Sequence, residues 1–343
     1  MSFHKELETT VRLLTASGKG ILAADESTGT IAKRFKEASI ENVEENRRAY
    51  RELLFTTPGM EQAICGVIFF EETLSQKAKD GTSFPALLAK KGVVPGIKVD
   101  KGTIGLPGAP GELITQGLDG LGEALQRHKA LGARFAKWRA VITIGEGIPS
   151  SYCIAANAHA LARYAALCTE NGIVPIVEPE VLMDADNTLE RCYEVTSLTL
   201  DAVFRELFQQ RVVLEHILLK PNMVIAGKKC PTQAGVQQVA EATVRCFRNH
   251  VPAAVPGIVF LSGGQSDEAA TAHLDAIARL GPHPWSVSFS YGRALQAPAI
   301  KTWAGKEAQW KAGQTAFSHR ARMNAAAQLG KYSQAMEREV AKV

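Results

Sequence analysis

Eight short runs rich in aliphatic and β-branched residues recur along the chain, and the segments between them are long enough to hold helices. The runs are Gly20 to Asp25, Ala63 to Phe70, Gly96 to Asp100, Phe135 to Ile144, Ile173 to Glu180, His216 to Met223, Gly257 to Gly263 and Trp285 to Gly292. Between them, Val43 to Phe55, Gly120 to Leu131, Ser150 to Asn171, Leu189 to Gln209, Gln233 to Arg248 and Asp267 to Leu280 carry apolar residues at spacings of three and four, the mark of an amphipathic helix. Such alternation predicts parallel strands joined by right-handed crossovers, and eight repeats is the number that closes a (β/α)8, or TIM, barrel. A doubly wound α/β sheet is the rival, but neither G-x-G-x-x-G nor G-x-x-x-x-G-K-[ST] occurs in a strand–turn–helix context.

The 343 residues contain no low-complexity linker, charge block or abrupt shift in composition, so residues 1–343 are expected to form one domain, with 331–343 a short C-terminal tail. Met1 to Leu14 reads as an amphipathic helix without the apolar core of a signal peptide. The longest apolar stretch, Val251 to Leu261, is broken by Pro252 and Pro256 and falls short of the roughly 18 residues of a membrane span. Six cysteines without a CxxC pair read as reduced thiols, and the expectation is a soluble cytoplasmic protein. A net charge of +4 is too close to balance for a nucleic-acid binder unless the excess is focused in one place, and any anionic partner is expected to be small.

Strands of a parallel barrel are buried on both faces, so charges within them need partners or a task. Asp25 ends the first run, Lys98 and Asp100 lie in the third, Lys137 and Arg139 in the fourth, Glu178 and Glu180 in the fifth, and Lys220 in the sixth. Each i, i+2 pair shares one face of its strand, and most of these charges fall at carboxyl ends, where barrel enzymes place their sites. A ring of structural ion pairs such as Lys137 with Glu178 is the alternative for any one of them. The seventh and eighth runs end in Ser262-Gly263-Gly264 and Ser290-Tyr291-Gly292-Arg293, where exposed N–H groups and Arg293 could hold a phosphate.

The eight histidines make no HxH or HExxH spacing and no G-x-S-x-G elbow occurs, so neither a metal nor a Ser-His-Asp hydrolase is indicated. What remains is lysine with carboxylates. A lysine amine condenses with a ketone, and the resulting iminium draws electrons from a neighbouring carbon bond. An ordinary lysine is neutral in only roughly one molecule in 2,500 at pH 7, so burial or a second cation is required, and the sequence offers Lys137 and Lys220 on the fourth and sixth runs. Glu178, Glu180 and Asp25 are available for the proton transfers.

At these residues the chain resembles class I fructose-bisphosphate aldolase, the Schiff-base type, over nearly its whole length. GILAADESTGTIAKR (20–34), GIKVDKG (96–102), TQGLDGL (115–121), FAKWR (135–139), NGIVPIVEPE (171–180), LLKPNM (218–223), FLSGGQS (260–266) and FSYGRALQ (289–296) carry the likeness. The resemblance implies that Lys220 forms the Schiff base and that Glu178, with Glu180 beside it, is the acid and base for carbinolamine dehydration. By the same resemblance Lys137 supports the charge around that nitrogen, and Asp25 faces the C4 hydroxyl. It implies substrate contacts at Arg139, a C1-phosphate site of Ser262, Gly263, Gly292 and Arg293 flanked by Ser290 and Tyr291, and a C6-phosphate end at Ser27, Arg34 and Lys98. No cofactor or metal, phosphorylated sugars as ligands, and a homotetramer complete the implication.

Two departures stand out. Thr30 replaces a serine that animal members carry after DEST, and a hydroxyl remains. Animal members end in a mobile tail with a terminal tyrosine that serves proton transfer at C3, whereas here the last tyrosine is Tyr332 and the chain reads as the shorter bacterial form. A transaldolase-like Schiff-base lyase and an inactive scaffold on the same fold are the competing readings.

Overall fold

In the computed structural model, which describes residues 3–338, all eight expected strands form: β1 (Gly20–Ala24), β2 (Ile64–Phe69), β3 (Val94–Lys98), β4 (Phe135–Ile142), β5 (Val174–Val181), β6 (Leu218–Leu219), β7 (Gly257–Phe260) and β8 (Ser286–Tyr291). Every pairing between them is parallel, and β1 lies against β8 as well as β2, with Ile21 opposite Ser290 and Leu22 opposite Tyr291, so the barrel is closed. Several connecting helices start where a small hydroxyl takes up a free N–H. Ser150, Thr188 and Ser266 cap Ser151–Glu170, Leu189–Gln209 and Asp267–Arg279 in this way.

Strand alternation sorts the apolar residues into two layers. Leu22, Val67, Ile97, Trp138, Val177, Leu219, Ile258 and Phe260 point outward and pack against the helices. Ile21, Ile68, Phe135, Val174, Ile176, Leu218 and Val259 point inward and fill the lower barrel, whose base is shut by Leu7, Val11 and Leu14 of the N-terminal helix His4–Leu14. On β4 and β5 the inward positions therefore read, from base to mouth, Phe135, Lys137, Arg139 and Val174, Ile176, Glu178, Glu180. Apolar side chains end where charged ones begin.

Two elements differ from the expectation. The sixth run holds only a two-residue strand, because Pro221 removes a ladder donor. Beyond it the buried amide of Asn222 ties the segment to its surroundings: its Oδ1 accepts from Val181 N–H at 3.0 Å and its Nδ2 donates to Thr196 Oγ1 at 3.1 Å. The glycine- and proline-rich stretch Gly102 to Gly111, whose composition reads as a long surface loop after the third strand, includes half of a small antiparallel hairpin, Thr103–Gly105 against Leu113–Thr115. Of the C-terminal tail, residues 339–343 lie outside the described part. Tyr332 is buried and its hydroxyl donates to Glu337 Oε1 at 3.0 Å.

The six cysteines are free and buried. Among the described residues no helix is long and apolar enough to cross a membrane.

The ring of Phe135 occupies the space a side chain on Gly96 would need, with a Cβ there lying 2.3 Å from the ring. Gly96→Ala is accordingly expected to destabilise the fold by about 1–3 kcal/mol, the range for overpacking a core. Chemical denaturation measures this, and an unchanged midpoint would mean that Phe135 moves freely.

Candidate active site

The carboxyl ends of the strands surround a cavity of about 660 Å³. Fourteen of the residues singled out from the sequence line it: Asp25, Ser27, Arg34, Lys98, Lys137, Arg139, Glu178, Glu180, Lys220, Ser262, Gly263, Ser290, Gly292 and Arg293. Tyr291 does not; alternation turns it outward, where its hydroxyl donates to the Ala270 carbonyl at 3.0 Å. Tyr332 is also absent from the lining, and its environment is that of a packed residue on the outer helices.

Glu178 sits at the centre of the charge. Its Oε1 is 3.2 Å from Lys220 Nζ on one side and its Oε2 is 3.3 Å from Lys137 Nζ on the other. Lys137 Nζ reaches Asp25 Oδ2 at 2.8 Å and Asp100 Oδ2 at 3.9 Å, so one ammonium faces three carboxylates. All of these side chains are nearly inaccessible to water except Asp25, at 12%. Burial, the largest single influence on Asp25, opposes its charge, but the Lys137 ammonium, with Lys220 and Lys98 behind it, holds the carboxyl well below the usual carboxylate range. Burial likewise works to lower Lys137, and Asp25, Glu178 and Asp100 together hold its ammonium well above the usual lysine range. The second cation anticipated beside Lys220 is thus already balanced by acids, and the two lysines are linked by the carboxylate they share.

Around this centre the remaining charges are also paired. Lys98 Nζ binds Asp100 Oδ1 at 2.7 Å, and the guanidinium of Arg139 engages Glu180. Arg34 engages Glu26, a residue that pattern reasoning passed over because it follows the strand and shares no face with the i, i+2 pairs. Glu26 is buried and also accepts from Arg51 at 2.6 Å and Gln296 at 2.8 Å. Asp100 was noticed as a strand charge, but only the fold reveals that it binds Lys98 and faces Lys137.

The two glycine turns form the wall beside Lys220. A Cβ on Gly263 would lie 3.0 Å from Glu180 Oε1, and one on Gly292 would lie 3.2 Å from the Ala23 carbonyl and 3.6 Å from Arg34 Nη2, so both positions require close backbone approach. Ser290 Oγ is buried without a hydrogen-bond partner among the described residues, and Ser262 is buried beside the cavity. Ser27 Oγ caps helix Thr28–Glu37 and lies 3.1 Å from Thr30 Oγ1, which places the substituted threonine's hydroxyl in the cavity wall. Among the described residues no cluster of three His, Cys, Asp or Glu side chains is placed to hold a metal ion.

The sequence model of the family described as fructose-bisphosphate aldolase class-I matches residues 6–343. A probable fructose-bisphosphate aldolase class 1 of Xanthomonas campestris pv. campestris is 57% identical over 329 residues, 96% of this chain and 98% of that one. A fructose-bisphosphate aldolase of Dictyostelium discoideum is 53% identical over 334 residues, 96% of this chain and 94% of the other. Among solved structures, fructose-bisphosphate aldolase from Plasmodium falciparum, crystallised with TRAP and a small-molecule inhibitor, superposes with a TM-score of 0.95 at 49% identity, covering 96% of both chains.

The charge balance at Asp25 is testable through pH. A carboxyl depressed in the fold contributes stability above its unfolded value of about 4 and loses that contribution as pH falls toward the folded value. Lys137→Met removes the cation responsible. Its melting temperature should therefore fall less steeply than the parent's between about pH 5 and pH 2. Parallel slopes in a thermal-unfolding series would count against the pairing.

Proposed function

The chain belongs to the class I fructose-bisphosphate aldolase family, and on that premise we propose that it cleaves fructose 1,6-bisphosphate reversibly to dihydroxyacetone phosphate and glyceraldehyde 3-phosphate through an iminium at Lys220. The observation that carries this reading is the placement of Glu178, one carboxylate oxygen toward each of Lys137 and Lys220, on the cavity floor. Glu178 Oε1, 3.2 Å from Lys220 Nζ, is the adjacent proton acceptor when that nitrogen attacks the C2 carbonyl.

The carbinolamine then loses water as Glu178 returns a proton to the leaving hydroxyl. Lys137 keeps the carboxylate in place and supplies a fixed positive charge beside it. With the iminium drawing electrons, Asp25 takes the C4 hydroxyl proton, the C3–C4 bond breaks, and its electron pair enters the enamine while the aldehyde leaves. Proton return to C3 and addition of water to the iminium release the ketone and regenerate the amine. Glu180, held by Arg139, lies on the same face of β5 as Glu178 and is the carboxyl available to assist these transfers.

The substrate's two phosphates suit the two ends of the cavity. Ser262, Gly263, Ser290, Gly292 and Arg293 offer backbone donors, a free hydroxyl and a guanidinium for the C1 phosphate. Ser27 and Lys98 offer a hydroxyl and an ammonium for the C6 phosphate, with Arg34 between the two groups beside Gly292. A homotetramer located in the cytoplasm, needing no metal or cofactor, completes the proposal.

Borohydride reduction in the presence of dihydroxyacetone phosphate, followed by peptide mass spectrometry, tests the covalent step. The expected adduct is on Lys220 and survives EDTA; an adduct confined to another lysine, or activity abolished by EDTA with no adduct, overturns the mechanism. Glu178→Gln should lower kcat by about 10²–10⁴ with a smaller change in KM.

A further inference from the structure

Every cationic side chain of the cavity is paired with a carboxylate, and among the described residues Arg293 alone has its partner outside the cavity lining. Arg293 Nη1 lies 3.2 Å from Asp267 Oδ1, and its Nη2 donates to the carbonyl of Gln265. Both acceptors belong to the turn that leaves β7 and to the first residue of helix Asp267–Arg279. The guanidinium is thus drawn toward that turn rather than free to face the cavity.

Asp267 stands on fixed ground. Its carbonyl accepts from Thr271 Oγ1 at 2.9 Å and from Arg320 Nη2 at 3.1 Å. Arg320 is itself buried and clasped by Glu337 of the C-terminal segment at 2.6 Å. A carboxylate in the first turn of a helix is also favoured by the helix dipole. Arg293, by contrast, is a long side chain left 42% accessible. If one partner of this pair moves, it is the arginine.

We propose that Asp267 holds Arg293 back from the cavity in the free protein, and that the ketone-side phosphate of the substrate has to take the guanidinium from it. Asp267 is then a positioning residue that sets affinity at that end of the site. The inference rests on the reading of Arg293 as a phosphate contact. A phosphoryl group carries about −1.5 to −2 charge against one for the carboxylate, so it wins the exchange but leaves a like charge behind the arginine. Removing that charge while keeping the side chain's shape should strengthen phosphate binding.

The test is steady-state kinetics in the condensation direction for the parent, Asp267→Asn, Asp267→Ser, Arg293→Ala and the double variant Asp267→Asn with Arg293→Ala, each first checked by melting temperature. Asp267→Asn is expected to lower KM for dihydroxyacetone phosphate by about two- to fivefold, the scale of a partly exposed ion pair. KM for glyceraldehyde 3-phosphate should stay unchanged, Asp267→Ser should act in the same direction, and the gain should vanish when Arg293 is absent. A raised or unchanged KM in folded Asp267 variants overturns the inference, as does a gain that persists without Arg293. If Arg293→Ala by itself leaves KM for dihydroxyacetone phosphate unchanged, the phosphate reading of Arg293 is what has failed, and the inference falls with it.

Discussion

The site depends on a buried carboxylate held between two ammonium groups. Each charge in the set of Glu178, Lys220, Lys137 and Asp25 would be costly to bury alone, and none is tolerable without the next. Their order in space explains why the sequence scatters them over four strands. A barrel brings the ends of β1, β4, β5 and β6 around one axis, and adjacent strands put Lys137 and Glu178 within one ion-pair length. The cost of these charges is met by mutual pairing, and the rest of the barrel has to keep that pairing rigid.

It does so by dividing its interior. Below the charges, Phe135, Ile176, Leu218 and Val259 form an apolar floor, sealed from beneath by the N-terminal helix. Large rings need small neighbours, which is why Gly66 and Gly96 face Phe135. With the floor packed, water reaches the charged layer only from the mouth, and each polar side chain there has little choice of position. Just beyond the short β6, the side chain of Asn222 accepts from Val181 N–H on β5 and ties down the segment that carries Lys220.

Much of this could be read from sequence because period-2 patterns carry face as well as element type. Lys137 with Arg139 and Glu178 with Glu180 were legible as pairs, and their inward direction followed once eight strands were counted. Tyr291 was assigned too close to the ligand although alternation with Ser290 sends it outward. Glu26, Asn222 and Asp267 were not legible as contributors. Their effect lies in contacts with residues distant in sequence, such as Arg51, Val181 and Arg293, and no local spacing encodes those. β6 is shorter than the run His216 to Met223 because Pro221, inside that run, has no N–H to give the ladder.

The balance of charge in the cavity has a consequence for recognition. Basic side chains outnumber acidic ones in its lining by only seven to six, and Asp267 stands just behind it. A doubly phosphorylated ligand, at about −1.5 to −2 per phosphoryl group, therefore does not meet a reservoir of free positive charge. It meets arginines and lysines already engaged with carboxylates, together with uncommitted groups such as the Ser290 hydroxyl. On the proposed reading, binding exchanges partners rather than neutralising empty cations, so a stray anion would gain little, whereas a ligand with two phosphates at the right separation and a ketone for Lys220 would gain at several points together. Selectivity on that reading comes from geometry imposed on a nearly neutral site, with the paired arginines as the groups that would read it.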